Sequence, residues 1–335
     1  MKKILLVLTL ATGLLQTSCS EDLVSNSNVT ATNSADVYVA GQKDNQACYW
    51  KNNQPVFLDS NGFTGPSANK IIVSNNDVYV LGIGIGATTT ALENVPMFWK
   101  NGLLTNLKAS LSTDEEQVMT ITDMEVVGND VYFVGYTKKP IIAFDDYTLA
   151  YWKNGVKTEV RNYGSYVQNL PQIKILNNTV YITASANGNE TLNGYYANST
   201  FNPIPNSIIN GLASNGSEMF VYGTLNNAGY YKNTNTNAET SLPAPINGIT
   251  KIQFASDLYL TNGSNTIYKN GISFDNSQPE LGGIIDFKIQ NNGAYKITQV
   301  AVGEGYTSHL VVNGVEAMHI NDSDGTFMSV FVVQN

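Results

Sequence analysis

The sequence predicts an all-β fold, a β-propeller of seven four-stranded blades closed by the C-terminal strand joining the N-terminal blade. Three observations predict it. One strand-and-turn pattern recurs seven times, the strands are apolar at successive positions, and the two ends of the chain carry complementary parts of one repeat.

The recurring unit opens Asp-Val-Tyr-Val-x-Gly and runs through a loop to an aromatic pair, Lys-Asn-Gly and a short strand. The opening element stands at Asp36–Gly41, Asp77–Gly82, Asp130–Gly135 and Thr179–Ile182, and more weakly at Glu218–Gly223, Asp257–Leu260 and Gly293–Lys296. The aromatic element follows in step at Tyr49-Trp50-Lys51, Phe98-Trp99-Lys100, Tyr151-Trp152-Lys153, Tyr195-Tyr196, Tyr230-Tyr231-Lys232, Ile267-Tyr268-Lys269 and His309-Leu310. Units begin roughly 36 to 53 residues apart, the spacing of propeller blades. The weaker later repeats also admit six or eight blades.

Each unit divides into four strands. In the second these are Lys70 to Val73, Asp77 to Gly82, Pro96 to Lys100 and Leu103 to Leu107. Asn101-Gly102 between the last two is a two-residue hairpin signal, because both residues tolerate positive φ, and it recurs at Asn154-Gly155, Asn270-Gly271 and Asn313-Gly314. Runs such as Val-Tyr-Val-Leu lack apolar/polar alternation, so both faces of each sheet are covered, as in blades stacked around an axis. The closing stretch Met328–Asn335 matches the first strand of a repeat, whereas Ala35–Tyr38 matches a second strand. Joining the two removes the exposed edges of an open array.

The chain begins with Lys2 and Lys3, an apolar run from Ile4 to Leu15, and then Gln16-Thr17-Ser18-Cys19. The run is shorter than the roughly 20 residues a membrane-spanning helix needs and reads as an export signal. Leu15 to Cys19 resembles a lipoprotein processing box, which implies acylation of Cys19, with Gln16 departing from the usual aliphatic residue. A secreted protein with a chance cysteine is the other reading. Ser20-Glu21-Asp22 resembles the surface-export tag of Bacteroidetes lipoproteins. The resulting division is 1–18 signal peptide, 19–34 flexible tether and 35–335 propeller. The repeats resemble those of Bacteroidetes-type β-propeller lipoproteins and are topologically similar to kelch repeats, without the paired glycines of the latter. The resemblance implies an outer-membrane, lipid-anchored and surface-exposed location, with a periplasm-facing anchor as the alternative.

A formal net charge of −9 argues against nucleic acid as a partner. With Cys19 acylated, Cys48 has no disulfide partner, so the core must hold the fold. The connections between strands two and three, and between successive units, are long: Gly82 to Pro96, Ala109 to Thr120, Tyr136 to Thr148, Arg161 to Leu170, Ala184 to Asn193 and Asp275 to Gly283. They share one face of the disc, and loops on a rigid scaffold are where binding residues usually sit. The candidate ligand contacts are Tyr136, Lys138, Asp145, Asp146, Tyr147, Arg161, Tyr163 and Tyr166, read as exposed tyrosines with polar neighbours suited to a glycan or a protein surface. The function expected is a non-enzymatic binding module working through this face and its central funnel. The alternative is a carbohydrate-active lyase or hydrolase using funnel carboxylates such as Asp145 and Asp146.

Other signals are discounted. Gly82-Ile83-Gly84-Ile85-Gly86 precedes no helix and reads as a flexible loop rather than a phosphate cradle. Asn321-Asp322-Ser323-Asp324-Gly325 lacks the ligand spacing of a calcium loop, and Asp114-Glu115-Glu116 reads as solvated. Trp50, Trp99 and Trp152 occupy one repeat position and read as blade packing. His309 and His319 show no metal-ligand spacing in sequence, so no metal or cofactor is assigned. Arg161 is the single arginine, which excludes the arginine triad of sialidase-type propellers.

Overall fold

The computed structural model describes residues 35–87, 92–139, 147–163, 170–184, 193–275 and 279–335. Cys19, with the signal and tether, lies outside them, as do Asp145, Asp146 and Tyr166. The described strands form seven four-stranded antiparallel sheets, each ordered first to fourth strand as the sequence predicts. Blade 1 is completed by the C-terminus: Gly325–Gln334 is its first strand and pairs with Ala35–Lys43, followed by Gln46–Lys51 and Gln54–Phe57. Blade 2 holds Thr64–Ser74, Asp77–Ala87, Leu92–Lys100 and Leu103–Asn106. Blade 3 holds Gln117–Val127, Asp130–Lys138, Tyr147–Lys153 and Val156–Tyr163. The first strands of blades 4 to 7 are Ile173–Leu176, Ser207–Ser214, Lys251–Phe254 and Gly283–Gln290.

The repeat's polar residues are explained by one clasp. In blade 2, Asn101 Oδ1 accepts from Val78 N at 2.8 Å, its Nδ2 donates to Asp77 Oδ1 at 2.8 Å, and Lys100 Nζ reaches Asp77 Oδ2 at 2.9 Å and lies over the Tyr79 ring. Asp36, Lys51 and Asn52 repeat it in blade 1, Asp130, Lys153 and Asn154 in blade 3, and Asp257, Lys269 and Asn270 in blade 6. Asp-Val-Tyr and Lys-Asn-Gly are thus two halves of one device joining the second strand to the end of the third.

The motif glycine has a steric cause. A Cβ on Gly41, Gly82, Gly135 or Gly223 would sit 1.9 to 2.0 Å from a first-strand carbonyl oxygen, that of Thr326, Ser67, Thr120 or Ile208. The first strand is bulged beside each of these glycines, which brings its backbone inward. Asparagine is abundant for a related reason: among the described residues every non-glycine position with positive φ is Asn except Asp44, and most lie in two-residue hairpin turns.

The core is divided among the blade interfaces. Seven apolar clusters correspond to the seven junctions, including the closing junction of blades 7 and 1 around Trp50, Ile297 and Phe327. Trp50, Trp99 and Trp152 are fully buried at three successive junctions, as their repeat position predicts. Cys48 is buried too, and burial pushes its thiol up to about 12.

Two expectations are corrected. The segment Gly82 to Gly86 is strand, not loop: Ile83 pairs with Pro96 and Gly86 with Glu93, and Gly84 and Gly86 leave room for the Phe63 ring. The aromatic position of blade 7 is held by Leu310-Val311, one residue later than His309-Leu310, because Leu310 pairs with Ile297 as Tyr49 pairs with Ala40.

Candidate functional site

The seven first strands surround a central channel with a cavity of about 610 Å³. Their residues alternate between the blade junctions and the channel. Ile71 and Met124 are buried in the junction clusters, whereas their neighbours Lys70, Ile72, Asp123 and Glu125 line the cavity. Three carboxylates and four lysines are among the lining residues: Asp123, Glu125, Asp286, Lys70, Lys174, Lys251 and Lys288.

Register sorts these residues into two levels. Lys70, Asp123, Lys251 and Asp286 each pair with the residue two after the motif tyrosine, or its equivalent, so they stand at one height. Glu125, Lys174 and Lys288 pair with the motif tyrosines themselves, Tyr132, Tyr181 and Tyr295, one level nearer the first hairpin.

The upper level is a staple used twice. Lys70 of blade 2 reaches Asp123 of blade 3 at 2.5 Å, and the other oxygen of Asp123 accepts from Ile173 N of blade 4 at 3.0 Å. Lys251 of blade 6 pairs with Asp286 of blade 7, whose other oxygen accepts from Val330 N of blade 1 at 2.8 Å. Each staple ties three consecutive blades at the channel wall, and its carboxylate is buried with both oxygens engaged. Burial alone would lower the Lys70 pKa, but Asp123 and Glu125 together hold it above the ordinary lysine value.

In the lower level Lys174 pairs with Glu125 at 2.6 Å. Lys288 has no carboxylate partner among the described residues. Its ammonium lies 5.2 Å from the Phe331 ring centroid, and burial together with Lys174 holds its pKa below the ordinary lysine value, against the opposing pull of Glu125. Toward the long-loop face the partly exposed Ile285 and Met328 complete the lining. Among the described residues Lys288 is thus the channel lysine without a carboxylate partner, while burial with Lys288, Lys70 and Lys174 holds Lys251, paired with Asp286, well below the ordinary lysine value.

The residues singled out in sequence are arranged differently. Tyr136, Tyr147 and Tyr163 were expected to be exposed, but all three are buried at 2, 8 and 8% exposure. The cause is packing: Tyr136 and Tyr163 belong to the junction of blades 3 and 4 with rings edge to face, and Lys138 lies over the Tyr147 ring. Burial pushes the Tyr163 phenol up, and Tyr196 adds to the shift. Arg161 stacks over Tyr163 and Phe201 and donates to Tyr196 Oη at 3.3 Å. These residues cluster at the junction of blades 3 and 4, where Tyr136 and Tyr163 pack with first-strand Ile173, and none of them lines the channel cavity. Nor does every blade carry a long connection on that face: blades 1, 5 and 7 use the short turns Asp44-Asn45, Asn226-Asn227 and Gly303-Glu304.

The channel residues lie on strands rather than in the long connections, so loop length does not mark them. The available signal was a charged residue inside an otherwise apolar first strand, at a fixed distance before its turn. A second cluster, His309, Glu316 and His319, lies on the outer strands of blade 7, brought together by cross-strand pairing that linear spacing does not reveal.

A closed ring of seven antiparallel blades around a charged channel defines the class: a seven-bladed β-propeller. No family model and no curated protein matches the sequence. Solved structures of low similarity include the WD40 domain of Neurospora crassa Pan2, at 10% identity and TM-score 0.46 over 88% of this chain and 84% of that one. Another is apo AztD from Citrobacter koseri, at 8% identity and TM-score 0.45 over 90% and 99%. A third is the uncomplexed Pyrococcus horikoshii acylaminoacyl peptidase, at 9% identity and TM-score 0.42 over 78% and 54%. The chain spans about half the length of the acylaminoacyl peptidases it matches. These likenesses carry nothing about activity.

Proposed function

We propose that this protein is a membrane-anchored envelope or surface lipoprotein, held by an acylated Cys19, whose propeller is a non-enzymatic binding module for a carboxylate-bearing glycan or protein segment. The ligand enters the channel and places its carboxylate against Lys288, at the level nearer the first hairpins. The observation that carries the reading is the imbalance within the channel, where three carboxylates face four lysines and one ammonium is left with an aromatic ring as its neighbour. A half-buried cation without a counter-charge is partly desolvated at a cost, which a ligand anion relieves.

The binding role is favoured here over hydrolysis because each channel carboxylate is engaged by a lysine, and Asp123 and Asp286 also accept backbone N–H groups. The test is a binding screen of the chain against uronic-acid oligosaccharides, their neutral counterparts and acidic peptides. An acidic ligand is expected to bind, and Lys288→Ala is expected to weaken it by about tenfold or more, the loss of one charge-assisted contact in a partly dry site. Equal retention of neutral and acidic ligands, or affinity unchanged in Lys288→Ala, contradicts the reading.

A further inference from the structure

The third and fourth strands of blade 7, Gly305–Val312 and Val315–Asn321, pair with His309 directly opposite His319. Residues three apart on a regular strand point to opposite faces, which would separate Glu316 from His319. A bulge prevents this: Leu310 pairs with Met318 but Val311 pairs with Glu316, so the extra residue Ala317 returns Glu316 to the histidine face. The outcome is His319 Nδ1 at 2.5 Å and His309 Nδ1 at 3.4 Å from Glu316 Oε1. One ligand atom from each of the three residues falls within 4.8 Å of the others.

His309 gives the second observation. Its side chain is 9% exposed, and neither ring nitrogen has a hydrogen-bond partner among the described residues, since the approach to Glu316 is at ion-pair range without hydrogen-bond geometry. Thr298, directly opposite it on the second strand, likewise has an unpartnered buried hydroxyl. Buried polar groups normally find partners, so this concentration on one small patch marks a place made for something else. His319 and Glu316 are about one-third exposed and leave an open side.

We propose that His309, Glu316 and His319 bind one divalent transition-metal ion of the zinc class, with solvent completing its coordination. Two imidazoles and one carboxylate suit zinc, cobalt or nickel rather than calcium or magnesium, which prefer all-oxygen sets. Bonds of about 2.1 Å place tetrahedral ligand atoms roughly 3.4 Å apart, the His309 to Glu316 separation already present. On binding, the hydrogen bond between His319 and Glu316 is given up, the His319 proton is carried on Nε2 so that the imidazole stays neutral, and Nδ1 and the carboxylate oxygen turn to the ion.

The experiment uses the full chain in detergent, stripped with chelator and titrated with Zn²⁺ and Co²⁺ by equilibrium dialysis. One ion per chain is expected, with a cobalt absorption spectrum of nitrogen and oxygen ligation. His319→Ala and Glu316→Gln alter partly exposed side chains, and each is expected to weaken binding more than the roughly 10- to 100-fold seen when an outer partner of a ligand is lost. Unchanged thermal melting of the stripped variants establishes that they fold. Stoichiometry below one ion per chain, equal affinity in the variants, or a thiolate-to-cobalt band pointing to cysteine overturns the proposal.

Discussion

At the scale of single residues, much of the recurring sequence is steric necessity. Gly135 lies under the Thr120 carbonyl, and a methyl group there would meet it at 2.0 Å. Gly135→Ala is expected to cost about 3 kcal/mol, the upper end for overpacking against backbone that cannot give way, read as a lowered denaturation midpoint. Gly102, at φ 81° in an exposed turn with open space around its Cα, is expected to pay only for its left-handed conformation when changed to Ala, about 1 kcal/mol. The sequence showed the glycine and its period plainly. It could not show the bulge opposite that makes the glycine obligatory, because that strand lies about ten or more residues away in the fold's pairing.

At the scale of the strand pair, the Asp, Lys and Asn of each clasp act together. Hydrogen bonds from lysine, then from asparagine, hold Asp77, Asp130 and Asp257 below the usual carboxylate pKa, and Asp36 follows the same rule. A lowered folded-state pKa contributes stability that is fully present above the unfolded value of about 4 and is lost as pH falls through the folded value. The clasps' share of the stability is therefore expected to stay level from pH 7 down to about 5 and then to be lost, read as a steepening fall of the denaturation midpoint below about pH 5. In Asp77→Asn the acid-dependent part of that drop is expected to shrink, and an identical pH profile in that variant would refute the clasp's role. The clasp was half legible in sequence: both motifs were visible as separate periodic signals, while their contact required the register of Tyr79 with Lys100. Tyr136, Tyr147 and Tyr163 show the opposite failure. A tyrosine beside a long connection reads as exposed, but the strands run further than the loop pattern suggested, and their rings are drawn into the packing of blades 3 and 4.

At the scale of the whole molecule, the ring has no free sheet edge at its seam because residues 325–334 complete blade 1. Removing residues 325–335 strips the inner strand from that blade and exposes Trp50, which packs edge to face on Phe327. Loss of cooperative unfolding is expected, far beyond the effect of trimming a terminal segment, and a truncated chain that melts like the intact one would contradict closure. The same pairing was readable from the two chain ends. The channel was not, since its charges come from five strands that no linear motif connects. Its lysines also set a pH dependence: with its pKa lowered in the free protein, Lys288 loses charge as pH rises, so affinity for an acidic ligand is expected to fall on the alkaline side, checked by titrating binding above neutrality.

The most direct measurement is a crystal structure of the chain with the acidic ligand retained in the binding screen. The ligand carboxylate is predicted within hydrogen-bond distance of Lys288, inside the ring formed by Lys70, Lys174 and Lys251. Ligand density on the outer part of blades 3 and 4, beside Lys138 and Arg161, with the channel unchanged, would contradict it.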